Sequence, residues 1–213
     1  MAEQLRVQTA CVLAGGHSSR FGSDKARAVA DGKTLIAHML DECAPFADQT
    51  RVVADRPDRY LDLGLAGIAD REAHLGPMGG LLAALEFAAA GQGDGWVLLG
   101  PCDVLGFRPE WLRLLLAGRA PGVSAVAFRD AEAENGRGAW QPLPGLYHTD
   151  LIPLVRQAIE RQQRAMWRLL EAAGAVAVPL PPDWSTAHVV HTPEDLLHVR
   201  QLAPSDPNPR SAR

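Results

Sequence analysis

An apolar run, Cys11-Val12-Leu13-Ala14, ends abruptly in Gly15-Gly16. Two hydroxyls (Ser18, Ser19), an arginine (Arg20), another glycine (Gly22) and the pair Asp24-Lys25 follow. Glycines placed after a strand let backbone N–H groups approach an anion closely. Arg20 and Lys25 add positive charge, and the hydroxyls can donate to phosphate oxygens. The pattern is not a Walker A loop, because Gly22 is followed by Ser23-Asp24 where that motif has Lys-Ser/Thr, and it is not G-x-G-x-x-G. Local composition leaves a second reading open, a tight glycine turn carrying incidental surface charges.

A carboxylate comes next. In LLGPCD (residues 98–103), Asp103 ends an apolar run. An aspartate at the end of a buried strand suits a hard cation such as Mg²⁺, which takes oxygen ligands and keeps several waters. Capping of the following turn is the alternative job for such an aspartate. GPMGG (residues 76–80) is a glycine-rich helix start, either without a ligand or with bare backbone donors that receive an anion or a base edge. The remaining candidates carry less. His188 and His191 flank a predicted strand and its exit with no Cys or Glu at metal-ligand spacing. His17 sits within the glycine loop, and the five tryptophans suit packing, Trp140 alone being a candidate pocket wall. Neither a Ser-His-Asp set nor G-x-S-x-G is visible, so acyl-transfer hydrolysis has little support.

The elements that must position these residues alternate. Residues 7–14 read as a buried strand, 34–46 as a helix, 51–54 and 66–69 as strands. Residues 76–91 read as a helix stopped by Gly91, 95–103 as a buried strand with its loop, and 109–117 as a helix. A strand over 123–128, an excursion over 130–147 returning in a short strand at 144–147, helices over 149–160 and 163–173, a strand in AVAVPLP and a helix over 192–202 complete the chain. The last helix starts on a threonine cap with proline at the first position and acids in the first turn. Alternation of this kind predicts a mostly parallel sheet with helices on both faces. Ligands of such sheets bind at the carboxyl ends of the strands, the rim that Gly15 to Lys25 and Pro101 to Asp103 would share.

Bulk properties narrow the classes. The 213 residues suit one domain, expected over 1–202, with a tail over 203–213 that has three prolines, no apolar periodicity and an expectation of disorder. The net charge of −4 does not attract nucleic acid or an anionic membrane. Cys11, Cys43 and Cys102 are few, odd in number and far apart, which indicates neither a disulfide framework nor a zinc knuckle. No apolar stretch of about 18 residues occurs, and the N-terminal residues lack the layout of a signal peptide, so a cytoplasmic protein is expected.

Taken in order, these stretches resemble the molybdenum cofactor guanylyltransferases and their relatives among the nucleotide-sugar-pyrophosphorylase-like nucleotidyltransferases. LAGGHSSRFGSDKA is similar to the signature L-A-G-G-x-S-x-R-[MF]-G-x-D-K-A. GKTLIAHML, GPMGGLLAAL, GPCDVLGF, QPLPGLY and HTPEDL resemble the family's later landmarks, and the resemblance spans residues 7–200. It implies an α/β, Rossmann-like three-layer nucleotidyltransferase fold with a mostly parallel central sheet. The implied activity is transfer of GMP from GTP to the phosphate of molybdopterin-bound molybdenum cofactor, with release of pyrophosphate and use of Mg²⁺. GTP and a molybdopterin-type cofactor are the implied partners, with a molybdoenzyme or its chaperone as a further one. By match, the backbone of Leu13, Ala14 and Gly15 would hold the nucleotide, Arg20 and Lys25 would neutralise phosphate charge, and Asp70 would contact the nucleotide. Gly80 would sit at the guanine pocket and Asp103 would bind Mg²⁺, which makes Arg20, Lys25 and Asp103 the implied catalytic set.

Cytidylyltransferase relatives carry L-A-A-G in the first loop, so Leu13-Ala14-Gly15-Gly16 and the glycines of GPMGG lean towards guanine. Three positions depart from the family pattern. Val53 stands at a strand-end asparagine, Val189-Val190-His191 at an Asn-x-Asn, and Leu105 at the second proline of P-C-D-x-P. Two alternatives follow: a related nucleotidyltransferase using CTP or another phosphorylated acceptor, or a catalytically weak cofactor-binding protein.

Overall fold

The computed structural model describes residues 6–14, 21–70, 73–133 and 140–202. Gly15, Arg20 and His17 lie outside the described residues, as does the tail from 203 onwards. Eleven strands are described: β1 (Val7–Leu13), β2 (Val29–Ala30), β3 (Lys33–Thr34), β4 (Ala47–Ala54), β5 (Gly67–Ala69), β6 (Trp96–Pro101), β7 (Val104–Leu105), β8 (Ala125–Arg129), β9 (Trp140–His148), β10 (Val176–Pro179) and β11 (His188–Val189). The helices are α1 (Leu35–Cys43), α2 (Pro77–Gln92), α3 (Pro109–Ala117), α4 (Ile152–Glu160), α5 (Met166–Ala172) and α6 (Pro193–Leu202).

Seven strands form one sheet in the order β10-β8-β9-β6-β1-β4-β5. The β1–β4, β1–β6, β4–β5 and β8–β10 pairs are parallel, and only β9 runs against its neighbours β6 and β8. This is the mostly parallel, helix-flanked sheet that the alternation of elements predicts. β1 lies between two strands and is covered on both faces, which is why it reads as a continuous apolar run. Ala10 and Val12 face a core shared with Ile36 and Met39 of α1 and with Trp111, Leu112 and Leu115 of α3. Cys11 faces the opposite core, with Leu81, Ala84 and Leu85 of α2 and Val155 of α4. Alternate residues of one strand thus anchor two helical layers.

Local chemistry sets the element ends. Thr34 caps α1 by accepting from the Ala37 N–H at 3.4 Å. α2 opens with Pro77 behind Gly76, whose φ of 64° is a conformation glycine adopts without strain. α2 runs through Gly91 and stops at Gly93 (φ 77°), two residues later than the sequence reading. β9 begins at Trp140, earlier than the expected start at 144, because a register shift between Ala127 and Phe128 accommodates a proline-bearing stretch. Two short pairings were not anticipated, the β2–β3 hairpin and the antiparallel β7–β11 pair. Trp140 is buried, and its indole N–H donates to Glu171 Oε1 at 2.5 Å.

Candidate active site

The site is built where β1, β4, β5 and β6 end together. Leu13 of β1 is in register with Val53 of β4 and Pro101 of β6, and Val53 is in register with Ile68 of β5. One row across the sheet therefore fixes where the following loops begin. Ala14 extends the ladder by donating its N–H to the Val53 carbonyl at 2.8 Å, and Asp70 does so by donating to the Ala54 carbonyl at 2.6 Å.

Asp103 follows β6 by two residues. Its carbonyl accepts the Val190 N–H at 2.8 Å, and β11 pairs with β7 directly after it. The C-terminal arm thus holds the backbone at Asp103, and it brings the departing Val189 and His191 beside the carboxylate-bearing loop. The Asp103 carboxylate accepts from Lys25 Nζ at 2.5 Å, across 78 positions of sequence. The two side chains are 20% and 17% exposed, which leaves the pair reachable from the rim. Lys25 opens a single turn of 3-10 helix whose cap is Asp24, accepting from the Ala26 N–H at 3.2 Å. Two residues picked out for separate sequence reasons are therefore brought into direct contact.

A second group lies at the other end of the rim. A Cβ on Gly80 would lie 2.5 Å from Leu13 Cδ2, 3.6 Å from Val53 Cγ1 and 3.7 Å from Asp70 Oδ2. A methyl group there would have to push the Leu13 side-chain tip aside, so α2 and the end of β1 pack closely at this point. Leu13, Asp70 and Gly80, implied as nucleotide contacts, are thus near neighbours, with Asp70 buried among them. The Ala14 N–H is committed to Val53, so a ligand contact through Ala14 falls to its carbonyl or its methyl group.

The link between the two groups was missed in the sequence. Tyr60 is 2% exposed. Its hydroxyl lies 3.1 Å from the Ala14 carbonyl oxygen and 3.1 Å from both carboxylate oxygens of Asp24. Arg59 donates from Nε and Nη2 to Asp24 Oδ2 at 3.2 and 3.1 Å, and from Nη1 to Asp55 at 2.8 Å. Burial, with Asp24 beside it, pushes the Tyr60 phenol up, so it stays a donor across the physiological range. Asp55 and Asp24 hold the Arg59 guanidinium firmly charged. The sequence signal was faint: one aromatic residue inside the charge-rich stretch DRPDRYLD.

The donor set decides what a metal would find. Among the described residues no group of three or more His, Cys, Asp or Glu could hold an ion by itself. Mg²⁺ is ordinarily bound by one or two carboxylates together with substrate phosphates and waters. A single carboxylate at a strand end therefore fits an ion that arrives with a polyphosphate, and does not fit a resident one. His188 lies in β11 and His191 is exposed beyond it, with no metal cluster around them among the described residues. No described helix is long and apolar enough to cross a membrane.

Comparison with known proteins gives this geometry a family. Residues 10–177 match the MobA-like NTP transferase domain. A molybdenum cofactor guanylyltransferase from Serratia proteamaculans is 30% identical over 196 residues, covering 91% of this chain and 94% of the relative. A probable molybdenum cofactor guanylyltransferase from Nostoc sp. is 32% identical over 211 residues, covering 96% and 97%. The crystal structure of a molybdopterin-guanine dinucleotide biosynthesis protein A from Archaeoglobus fulgidus superposes with a TM-score of 0.73 at 23% identity, covering 92% of this chain and 98% of that one. The mostly parallel sheet, the glycine-rich sequence that follows β1 and the matched domain agree: this chain belongs to the MobA-like NTP transferase family and is an enzyme of the nucleotidyltransferase class.

Proposed function

We propose that the protein transfers GMP from GTP to the terminal phosphate of a molybdopterin-type molybdenum cofactor, releasing pyrophosphate. The observation that carries this reading is the meeting of Lys25 and Asp103 at 2.5 Å on the carboxyl rim of the sheet. A cation for phosphate and a carboxylate for a phosphate-borne ion stand together where an α/β sheet binds ligands. The acceptor follows from the relatives, which carry the name molybdenum cofactor guanylyltransferase.

The chemistry asks little covalent work of the protein. An oxygen of the acceptor phosphate attacks the α-phosphorus of GTP in line. A new P–O bond forms as the bond to the bridging oxygen of the β-phosphate breaks, and pyrophosphate leaves with that electron pair. Catalysis then rests on positioning and on charge neutralisation. Lys25 offsets charge on the phosphates, and the glycine-loop motif assigns the same role to Arg20. Backbone groups at Leu13, Ala14 and Gly15 hold the nucleotide against the end of β1. Asp70 offers a buried acceptor beside Gly80, and guanine carries N1–H and N2–H donors on its edge. Mg²⁺, held by the Asp103 carboxylate, would supply further neutralisation of the phosphate oxygens.

Thermal-shift measurements with GTP, CTP, ATP and UTP, each with Mg²⁺, test the nucleotide. A ligand that binds the folded state raises Tm by mass action. GTP is expected to give the largest rise. A larger rise with CTP would move the assignment to a cytidylyl donor, and no rise with any nucleotide would reject the reading.

A further inference from the structure

We infer that Tyr60 is a positioning residue of the nucleotide site, acting by tying together the residues on either side of the glycine-rich stretch. The inference rests on the nucleotidyl-transfer reading above and adds a residue that the motifs do not contain. Ala14 is the last described residue before that stretch, and Asp24 stands just ahead of Lys25. One buried hydroxyl lies 3.1 Å from the carbonyl of the first and 3.1 Å from both carboxylate oxygens of the second.

The geometry around Tyr60 suits a fixed tie. Its ring lies under two guanidiniums, with Arg27 and Arg59 at 5.0 and 5.7 Å from the ring centroid. Both cations are themselves anchored. Arg27 binds Asp62 at 2.7 and 2.9 Å and donates to the Arg59 carbonyl at 2.6 Å. Arg59 spans Asp55 and Asp24. The ring is therefore held by packing and by cation–π contacts, while the hydroxyl alone reaches the loop ends. Asp24 in turn caps the turn that carries Lys25, whose ammonium reaches Asp103. A continuous series of contacts runs from Gly80 and Leu13 through Ala14, Tyr60 and Asp24 to Lys25 and Asp103. Groups that bind different parts of one nucleotide must keep their spacing to within a fraction of an ångström, and supporting contacts of this kind set it.

Tyr60→Phe removes the hydroxyl and keeps the ring with its two cation–π contacts, so the fold is retained. With the full chain, GTP, Mg²⁺ and the molybdopterin-type acceptor, the variant is expected to raise the GTP KM about tenfold, the loss of one hydrogen bond to a charged group, with kcat within about twofold. The Tm without nucleotide should also fall, by a few degrees, because the Ala14 carbonyl and Asp24 lose a buried donor. A merely structural Tyr60 would lower that Tm too but leave KM where it was. Asp24→Asn supplies a second arm: it keeps an oxygen for the Ala26 cap, weakens the Tyr60 and Arg59 contacts, and is expected to raise KM in the same direction. Nucleotide binding by both proteins is read separately by thermal shift with GTP. Equal GTP affinity in wild type and Tyr60→Phe overturns the inference and leaves the proposed function standing. A wild type that binds no GTP takes down both.

Discussion

Replacing Asp103 by Asn should separate catalysis from stability. The ion pair with Lys25 has side chains 20% and 17% exposed, between a surface pair and a buried one. Exposed pairs contribute roughly 0–1 kcal/mol, and removing one partner of a buried pair costs roughly 3–5 kcal/mol. Asp103→Asn should therefore cost about 1–2 kcal/mol, or about 3–6 °C in Tm for a chain of this size. Turnover should fall far more, by about 10²–10³-fold, the usual loss when one electrostatic partner of a transition state is removed. Lys25→Met in the same background removes the stranded ammonium. The double variant should recover part of the lost stability and none of the lost turnover. Urea unfolding followed by intrinsic fluorescence gives the first quantity, and pyrophosphate release with GTP, Mg²⁺ and the acceptor gives the second. Near-wild-type turnover in a folded Asp103→Asn protein would refute the assignment of Asp103. Additive stability effects of the two single changes would refute the ion pair itself.

Other consequences follow from particular contacts. Gly80→Ala places a methyl group against the mobile tip of Leu13, while alanine favours the helix by about 0.5–1 kcal/mol. Stability should hold within about 1 kcal/mol as GTP affinity falls in a titration, and unchanged affinity would remove Gly80 from the nucleotide pocket. Burial pushes Cys11, Cys43 and Cys102 up to about 12, so a thiol reagent at pH 8 should label none of them until the protein unfolds. The sign of the linked stability is fixed. These raised thiols stabilise the fold below the ordinary value of 9.0, and that contribution is lost as pH rises from there towards about 12. The backbone N–H groups of His191 and Thr192 lower Asp195 from its ordinary 3.8. Its contribution is present above that pH and disappears as pH falls through the lowered value, so Asp195→Asn should show a shallower acid limb in stability against pH.

Much of the fold was legible because it is written in periodicity. The buried runs of β1 and β6, the amphipathic α1 and α3, and the Pro77 start of α2 each follow from local pattern. The two-residue strands β2, β3, β7 and β11 carry no period to read, and their pairing is a tertiary fact. α2 passes through Gly91, an exposed position in its last turn, because the preference against glycine in a helix is only about 1 kcal/mol. The site divides the same way. Lys25 and Asp103 stand out by type and by their place after strands, and the structure joins them. Tyr60 and Arg59 reach Asp24 across 36 and 35 positions, a distance at which spacing holds no information.

The central claim is tested most directly by the transfer itself. The purified chain is given GTP labelled at the α-phosphate, Mg²⁺ and molybdopterin-bound molybdenum cofactor, and the products are separated. The account predicts a guanine dinucleotide form of the cofactor that carries the label, with pyrophosphate released in step, and little product when CTP replaces GTP. Pyrophosphate release that does not depend on the cofactor, or label transferred from CTP in preference to GTP, would contradict it.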